Sequence, residues 1–248
     1  MVSFGKLGKY GRWGNCLFQI AATIGYSQRH KVNYLFPEWE GFTHLNHKFN
    51  TGMVGSSYSY MERRFAFTPI PLTRDIDLEG YFQSEKYFDN CKDYIREIFK
   101  PNSEIENYIN EKYSELLIKN TCSIHVRRTD YLEFCDYHYN LGLDYYNKAM
   151  PLIDYCTFVV FSDDIEWCKK NLKAKNIIFI EGEKDVVDFY LMSKCKNHII
   201  ANSSFSWWAS YLNADESKMV IAPRKDCWFG AKQNHSVNDL YLDSWILV

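Results

Sequence analysis

From about residue 121 onward, short apolar runs alternate with segments whose apolar residues recur at three- and four-residue spacing. The runs TCSIHV (121–126), TFVVFS (157–162), NIIFI (176–180), NHIIA (197–201) and MVIA (219–222) predict strands. Between them DYYNKAMPLI (144–153), DDIEWCKKNL (163–172), KDVVDFYLMSKC (184–195) and SFSWWASYLN (204–213) predict helices. Strands alternating with helices across short connections build a parallel sheet with helices on both faces. The near-continuous apolar character of most of these strands fits burial on both sides.

The first half is less regular. A helix is predicted over 15–29, with Leu17, Ile20, Ala21 and Ile24 on one face, and strands over 32–36 and 75–82. SEKYFDN (84–90) opens a helix, and SEIENYINEKYSELL (103–117) reads as an amphipathic helix capped by Ser103. Residues 37–74 show little periodicity. A domain boundary is expected near 118, giving an N-terminal domain 1–118 and a C-terminal domain 119–248.

Composition narrows the class. The 248 residues are 46% hydrophobic and 24% charged, enough for sizeable cores and unlike a disordered chain. A formal net charge of −2 argues against a general nucleic-acid or membrane-surface binder, so any anion site must be local. No run approaches the ~18 apolar residues of a membrane span, and the opening MVSFGKLGKYGRWGN has no signal-peptide stretch. The eight cysteines are scattered without a C-x-x-C pair, so neither a disulfide framework nor a zinc site is expected. The expectation is a soluble, cytoplasmic protein of a reducing compartment.

In parallel sheets, ligands sit beyond the carboxyl ends of the strands. Three polar strand ends are predicted there: His125 to Arg128, Ser162 to Asp164, and Asn202 to Ser204. Guanidinium groups offer forked donors that match phosphate oxygens, although an isolated Arg-Arg more often contains a structural ion pair. ANSSFSWWASYL (201–212) ends a strand and opens a helix, whose first N–H groups suit an anion. Ordinary N-capping by Ser203 or Ser204 is the plainer reading, and Trp207 and Trp208 read as core. Gly5, Gly8, Gly11 and Gly14 precede the first helix and allow close backbone approach, without the spacing of a dinucleotide or P-loop fingerprint. DID (75–77) is short enough to occur by chance but is the one candidate for a metal-dependent alternative.

These stretches together resemble the α-1,2-fucosyltransferases, glycosyltransferase family 11. GRWGNCLFQ (11–19), EGYFQSEKYF (79–88), IHVRRTDY (124–131), LDYYNKAM (143–150), FSDD (161–164) and MSKCKNHIIANSSFSWWASYLN (192–213) are similar to the family's blocks, in the family's order. The H-x-R-R-x-D block is shared with α-1,6- and protein O-fucosyltransferases. Cys16 stands where the family has Gln, and Trp13 where it has Leu. The resemblance implies an α/β fold of the GT-B type, two Rossmann-like domains facing across a cleft. It also implies transfer of L-fucose from GDP-β-L-fucose, with inversion and without a metal, to a glycan hydroxyl, the 2-OH of a galactose-type residue.

By the same resemblance, Arg127 would bind the β-phosphate of the departing GDP, helped by His125, Ser203, Ser204 and Phe205. Gly14 and Asn15 would line the cleft near the fucose, Asp163 would belong to the donor site, and Asp188 would read guanine. Arg128 is expected to be structural, paired with Asp130. Glu133 is the first candidate for the base that takes the acceptor proton, with Asp130, Asp136 and His138 behind it. A transferase using another GDP-sugar or making another linkage, and a non-catalytic carbohydrate-binding protein, are the alternatives.

Overall fold

The computed structural model describes residues 1–55, 58–233 and 235–248. By its contacts the chain divides into two compact units, Met1–Ser103 with His235–Leu242, and Glu104–Asn234 with Asp243–Val248. The division falls ahead of residue 118 because the helix that begins at Ser103 is tied to the second unit, through the pairs Lys194–Glu106 (2.6 Å) and Lys112–Glu183 (2.5 Å).

The first unit holds a four-stranded parallel sheet of β1 (Val2–Ser3), β2 (Tyr34–Leu35), β3 (Tyr58–Met61) and β4 (Ile76–Glu79), in the order β2-β1-β4-β3. Helix α1 (Trp13–His30) buries its face from Gly14 to Ser27, including Leu17, Ile20, Ala21 and Ile24. It ends where Lys31 turns left-handed (φ 54°) and its N–H reaches the carbonyls of Gln28 and Ser27, with Arg29 and His30 at the negative end of the dipole. Two 3₁₀ turns, Glu85–Tyr87 and Asp89–Cys91, then lead into α2 (Lys92–Ile98).

Two sequence expectations change here. The region 37–74 contains a strand, β3, whose residues are mostly exposed and so lack an apolar alternation. The run 75–82 is extended only to Glu79, because Gly80 (φ 151°) and Phe82 (φ 51°) turn the chain. Gln19 of α1 donates from Nε2 to the carbonyls of Tyr10 (3.2 Å) and Gly80 (3.1 Å), joining the segments that follow β1 and β4.

The second unit is the alternating one. After α3 (Ser103–Lys112) and the short α4 (Ser114–Leu117), which are separate helices broken at Tyr113, come β5 (Thr121–Val126), α5 (Thr129–Glu133) and α6 (Leu143–Ala149). Pro151, which has no N–H to donate, sits in the 3₁₀ turn Met150–Leu152 that ends α6 early. There follow β6 (Thr157–Ser162), α7 (Ile165–Asn171), β7 (Ile177–Phe179), α8 (Asp185–Ser193), β8 (Asn197–Ile199), α9 (Ser204–Leu212), β9 (Val220–Ala222) and β10 (Ile246–Leu247).

The six strands are all parallel, in the order β10-β9-β8-β5-β6-β7. Alternate residues of the central strand β5 face opposite sides. Cys122, Ile124 and Val126 join Tyr145, Tyr146 and Cys168 in a core, while His125 meets Ser206 of α9. Trp207 and Trp208 are fully buried and pack on Tyr211, as expected of core residues. All eight cysteines are free and seven are buried. No helix among the described residues is long and apolar enough to cross a membrane.

Candidate active site

The strand order fixes where the second unit can hold a ligand. From β5 the chain steps outward to β6 and β7, and from β8 it steps the other way to β9 and β10. The segments leaving β5 and β8 therefore part from each other, and the gap beyond their carboxyl ends is the topological switch point at which such sheets bind ligands. The first segment delivers Arg127 and the second delivers Ser203.

Arg127 is held from two sides. Its guanidinium contacts Asp130 at 2.7 Å and Asp163 at 3.2 Å, and the side chain stays 19% exposed. Asp163 also accepts from the backbone N–H groups of Arg128 (2.9 Å) and Thr129 (3.2 Å) and from the Thr129 hydroxyl (2.5 Å). One carboxylate at the end of β6 thus caps the start of α5 and aims the arginine of β5. Both of its oxygens are engaged inside the protein. The expected Arg128–Asp130 pair is replaced, since Asp130 turns to Arg127, while Arg128 bonds Asp164 (3.2 Å) and lies over the Trp167 ring at 4.1 Å. Helical geometry explains the exchange, because α5 starts at Thr129 and brings Asp130 back under residue 127. Asp164 is also the N-cap of α7, accepting from Trp167 N–H at 3.2 Å.

His125 is buried, and burial, reinforced by the Arg127 charge, holds its pKa down at about 3. The ring is neutral at physiological pH. Its Nδ1 lies 2.9 Å from Ser206 Oγ, and among the described residues Nε2 has no hydrogen-bond partner. The Ser206 hydroxyl has more distant acceptors in the carbonyls of Ser203 (3.4 Å) and Ala201 (3.5 Å). Nδ1 is the nearest acceptor for that proton, an arrangement that would place the imidazole proton on Nε2 as a donor.

Tyr131, which periodicity did not single out although it lies in the IHVRRTDY block, bridges the two segments. Its hydroxyl donates to the Asn202 carbonyl at 2.9 Å, His138 stacks on its ring at 4.3 Å, and the Arg127 guanidinium lies 5.8 Å from the ring centroid. Burial pushes its hydroxyl up to about 12, so it remains a donor. Asn202 is anchored in turn by donating to the carbonyls of Tyr139 (2.8 Å) and Trp228 (2.9 Å).

Ser203 caps α9, accepting from Phe205 N–H at 3.3 Å. Ser203, Ser204 and Phe205 are half-buried at a helix start whose first N–H groups point outward along the dipole. The Phe205 ring packs 5.5 Å from His125 and 5.2 Å from Phe189 of α8. On α8, Asp188 has a buried Oδ1 without a hydrogen-bond partner among the described residues. Burial, with Asp185 and Glu183 adding like charge, pushes this carboxyl up to about 7. The first-turn dipole would favour its anion, and burial outweighs it.

Glu133 is exposed at the end of α5, a helix of five residues, and among the described residues no hydrogen bond or ion pair fixes its carboxylate. Asp136 pairs with Lys232 at 2.6 Å. In the first unit, Gly14 is buried in the first turn of α1, and Asn15 accepts from Gln83 Nε2 at 2.7 Å. Gly11 (φ 75°) leaves the space Asn15 fills, since a Cβ there would lie 2.0 Å from Asn15 Nδ2. Of the DID run, Asp75 pairs with the N-terminus (3.2 Å), and Asp77 accepts from the Ser3 hydroxyl (2.6 Å) and Gly5 N–H (2.7 Å).

The chain is similar to known proteins in sequence and in fold. The Escherichia coli O-antigen biosynthesis glycosyltransferase WbnK is 36% identical over 184 residues, 68% of this chain and 59% of the relative. An Escherichia coli alpha-1,2-colitosyltransferase is 35% identical over 187 residues, 70% of this chain and 62% of the relative. The matches therefore span less than two thirds of either relative's length. Among solved structures, NodZ α-1,6-fucosyltransferase soaked with GDP-fucose aligns with a TM-score of 0.56 at 14% identity, covering 85% of this chain and 91% of that one. The fold is accordingly the mixed α/β, parallel-sheet fold of the GT-B fucosyltransferases. The model of glycosyl transferase family 11 matches residues 43–248, and the chain belongs to that family.

Proposed function

We propose that the protein is an inverting glycosyltransferase that moves L-fucose from GDP-β-L-fucose to a glycan hydroxyl, the 2-OH of a galactose-type residue. The observation that carries this reading is Arg127 at the switch point, braced by Asp130 and Asp163 beside the start of α9. As the C1–O bond of the donor breaks, negative charge gathers on the β-phosphate. A guanidinium already held in place needs no reorganisation to meet that charge. His125 Nε2–H, the first N–H groups of α9 and the hydroxyls of Ser203 and Ser204 complete the anion pocket. Asp163 acts by positioning Arg127, and Phe205 packs behind His125. Asp188 would accept from guanine N1–H and the 2-amino group. Incubation with GDP-fucose and lactose tests the linkage: NMR of the product should show fucose α-linked to O2 of galactose, and any other linkage rejects that part of the reading.

A second reading keeps the pocket and changes the sugar. It is favoured by the relative named alpha-1,2-colitosyltransferase, and competing GDP-colitose against GDP-fucose at equal concentration decides between them.

The Ser206 hydroxyl gives a separate prediction. Ser206→Ala removes the group that holds the His125 proton on Nε2, and kcat should fall about 3–10-fold, the worth of one hydrogen bond. Ser206→Thr, which keeps the hydroxyl, should restore it. Equal loss in both variants would show that packing alone matters.

A further inference from the structure

Helix α1 begins beyond the carboxyl end of β1 and runs back toward the opposite edge of the first unit's sheet. At about 1.5 Å per residue, roughly 20 Å of helix separates its first turn from its last. Beside that last turn lies a cavity of about 520 Å³, within the range of small-molecule sites. Tyr26, Arg29 and His30 of α1 form one side of it. The segment around Phe67 forms a second, and the 3₁₀ turns carrying Lys86, Tyr87 and Asp89 a third. These residues all belong to the first unit, so the cavity shares nothing with the Arg127 site.

Side chains fix its walls. The buried Tyr26 hydroxyl donates to the Pro71 carbonyl (3.1 Å) and accepts from Thr73 N–H (3.1 Å). The buried Tyr87 hydroxyl donates to the Ala66 carbonyl (3.2 Å) and accepts from Thr68 N–H (3.1 Å). Asp239 accepts from Phe67 N–H at 2.9 Å and pairs with Lys86. Two tyrosines and an aspartate thus hold 66–73 in place, and Pro69 and Pro71 stiffen it.

The lining selects the ligand. Its two permanent cations are already matched, Arg29 by Asp89 (2.7 Å) and Lys86 by Asp239, so a phosphate or carboxylate would have to compete with a carboxylate already in place. Three polar groups nevertheless keep capacity among the described residues. His30, stacked on Tyr26 at 4.4 Å, has no hydrogen-bond partner on either ring nitrogen, Asp89 Oδ2 accepts nothing, and Arg29 Nε donates to nothing. A purely apolar ligand would desolvate these groups without bonding them. Apolar surface is present too, with the Phe67 and Tyr87 rings meeting edge to face at 5.0 Å. A neutral polyhydroxylated ring suits both features. Its C–H face can lie on the rings while its hydroxyls donate to the carboxylate and accept from the guanidinium.

We propose that this cavity is a saccharide-binding site of the first unit, holding one neutral sugar ring against Tyr26, His30 and Phe67 with Arg29 and Asp89 at its hydroxyls. The proposal stands apart from the transferase reading and needs no donor.

The test follows the His30 ring by proton–carbon NMR of the whole protein labelled in its histidines, with His30→Ala identifying the signal. Galactose, glucose, N-acetylglucosamine and lactose are titrated in turn, and inorganic phosphate is the anionic probe. At least one sugar should shift the His30 signal saturably, while phosphate at the same concentration leaves it in place. Phe67→Ala, which removes a stacking face, should weaken that binding about 10-fold. Asp89→Asn, at an exposed position, should weaken it about 3–10-fold. Melting curves establish that the variants are folded, and Asp89→Asn carries the test if Phe67→Ala is not. A His30 signal that no sugar moves, a sugar affinity unchanged in Asp89→Asn, or a shift driven by phosphate instead overturns the proposal. GDP titration of the same samples reports on the nucleotide pocket separately, so the failure of one reading is distinguishable from the failure of the other.

Discussion

Replacing Arg127 with alanine should lower fucosyl transfer about 10²–10³-fold, the usual loss when a fixed oxyanion donor is removed, while the protein stays folded. The reason is geometric. Asp130 and Asp163 hold the guanidinium at the carboxyl end of β5, so its charge is in place before the donor breaks. Both carboxylates are less buried than a core pair, and Asp163 keeps its bonds to Arg128 N–H, Thr129 N–H and the Thr129 hydroxyl without Arg127. The stability cost should therefore stay near 1–3 kcal/mol, on the order expected for one partner lost from a half-buried network. Arg127→Lys keeps one charge but cannot reach two carboxylates with separate nitrogens and still face a phosphate, so its rate should lie between the two. Steady-state kinetics alongside thermal melts checks both halves, and a folded Arg127→Ala protein with near-wild-type turnover would contradict this role.

Asp188→Asn should stabilise the free protein and weaken its hold on GDP. Burial disfavours the anion and pushes this carboxyl up to about 7 in the folded chain, against an ordinary value of about 3.9 in the unfolded chain. Between those values the folded state binds the extra proton, so this residue makes stability fall as pH rises from about 4 to 7. Asparagine carries no such penalty. Its advantage should be greatest above pH 7, about 1–3 kcal/mol, and should shrink toward zero near pH 4. The same carboxylate, once ionised, would accept two donors from guanine, whereas asparagine would turn an N–H toward one of them. GDP affinity should drop about 10–100-fold, and wild-type affinity should weaken as pH falls below 7. Melting curves from pH 4 to 8 and calorimetric titration with GDP test the pair of effects. A variant that gains no stability at pH 8, or binds GDP as wild type does, would remove Asp188 from the site.

The parallel sheet of the second unit was legible because its strands are buried on both faces and declare themselves as apolar runs. β10 was not, since Ile246–Leu247 is two residues long and follows an irregular stretch. β3 was hidden for the opposite reason: its exposed residues give no alternation. The Arg127 segment was legible as a polar strand end. Its wiring was not, because the choice between Arg127 and Arg128 as partner of Asp130 depends on where α5 begins. Tyr131 and Ser206 carried no periodic signal. Each acts through one hydrogen bond to a residue far along the chain, Asn202 and His125 respectively.

The central claim is that the second unit holds a guanine nucleotide diphosphate through Arg127. Calorimetric titration of wild type and Arg127→Ala with GDP, UDP and CMP in the presence of EDTA tests it most directly. Selective binding of GDP that survives the chelator and collapses in the variant is the predicted result. Preference for UDP, or binding that returns only when a divalent metal is added, would contradict it.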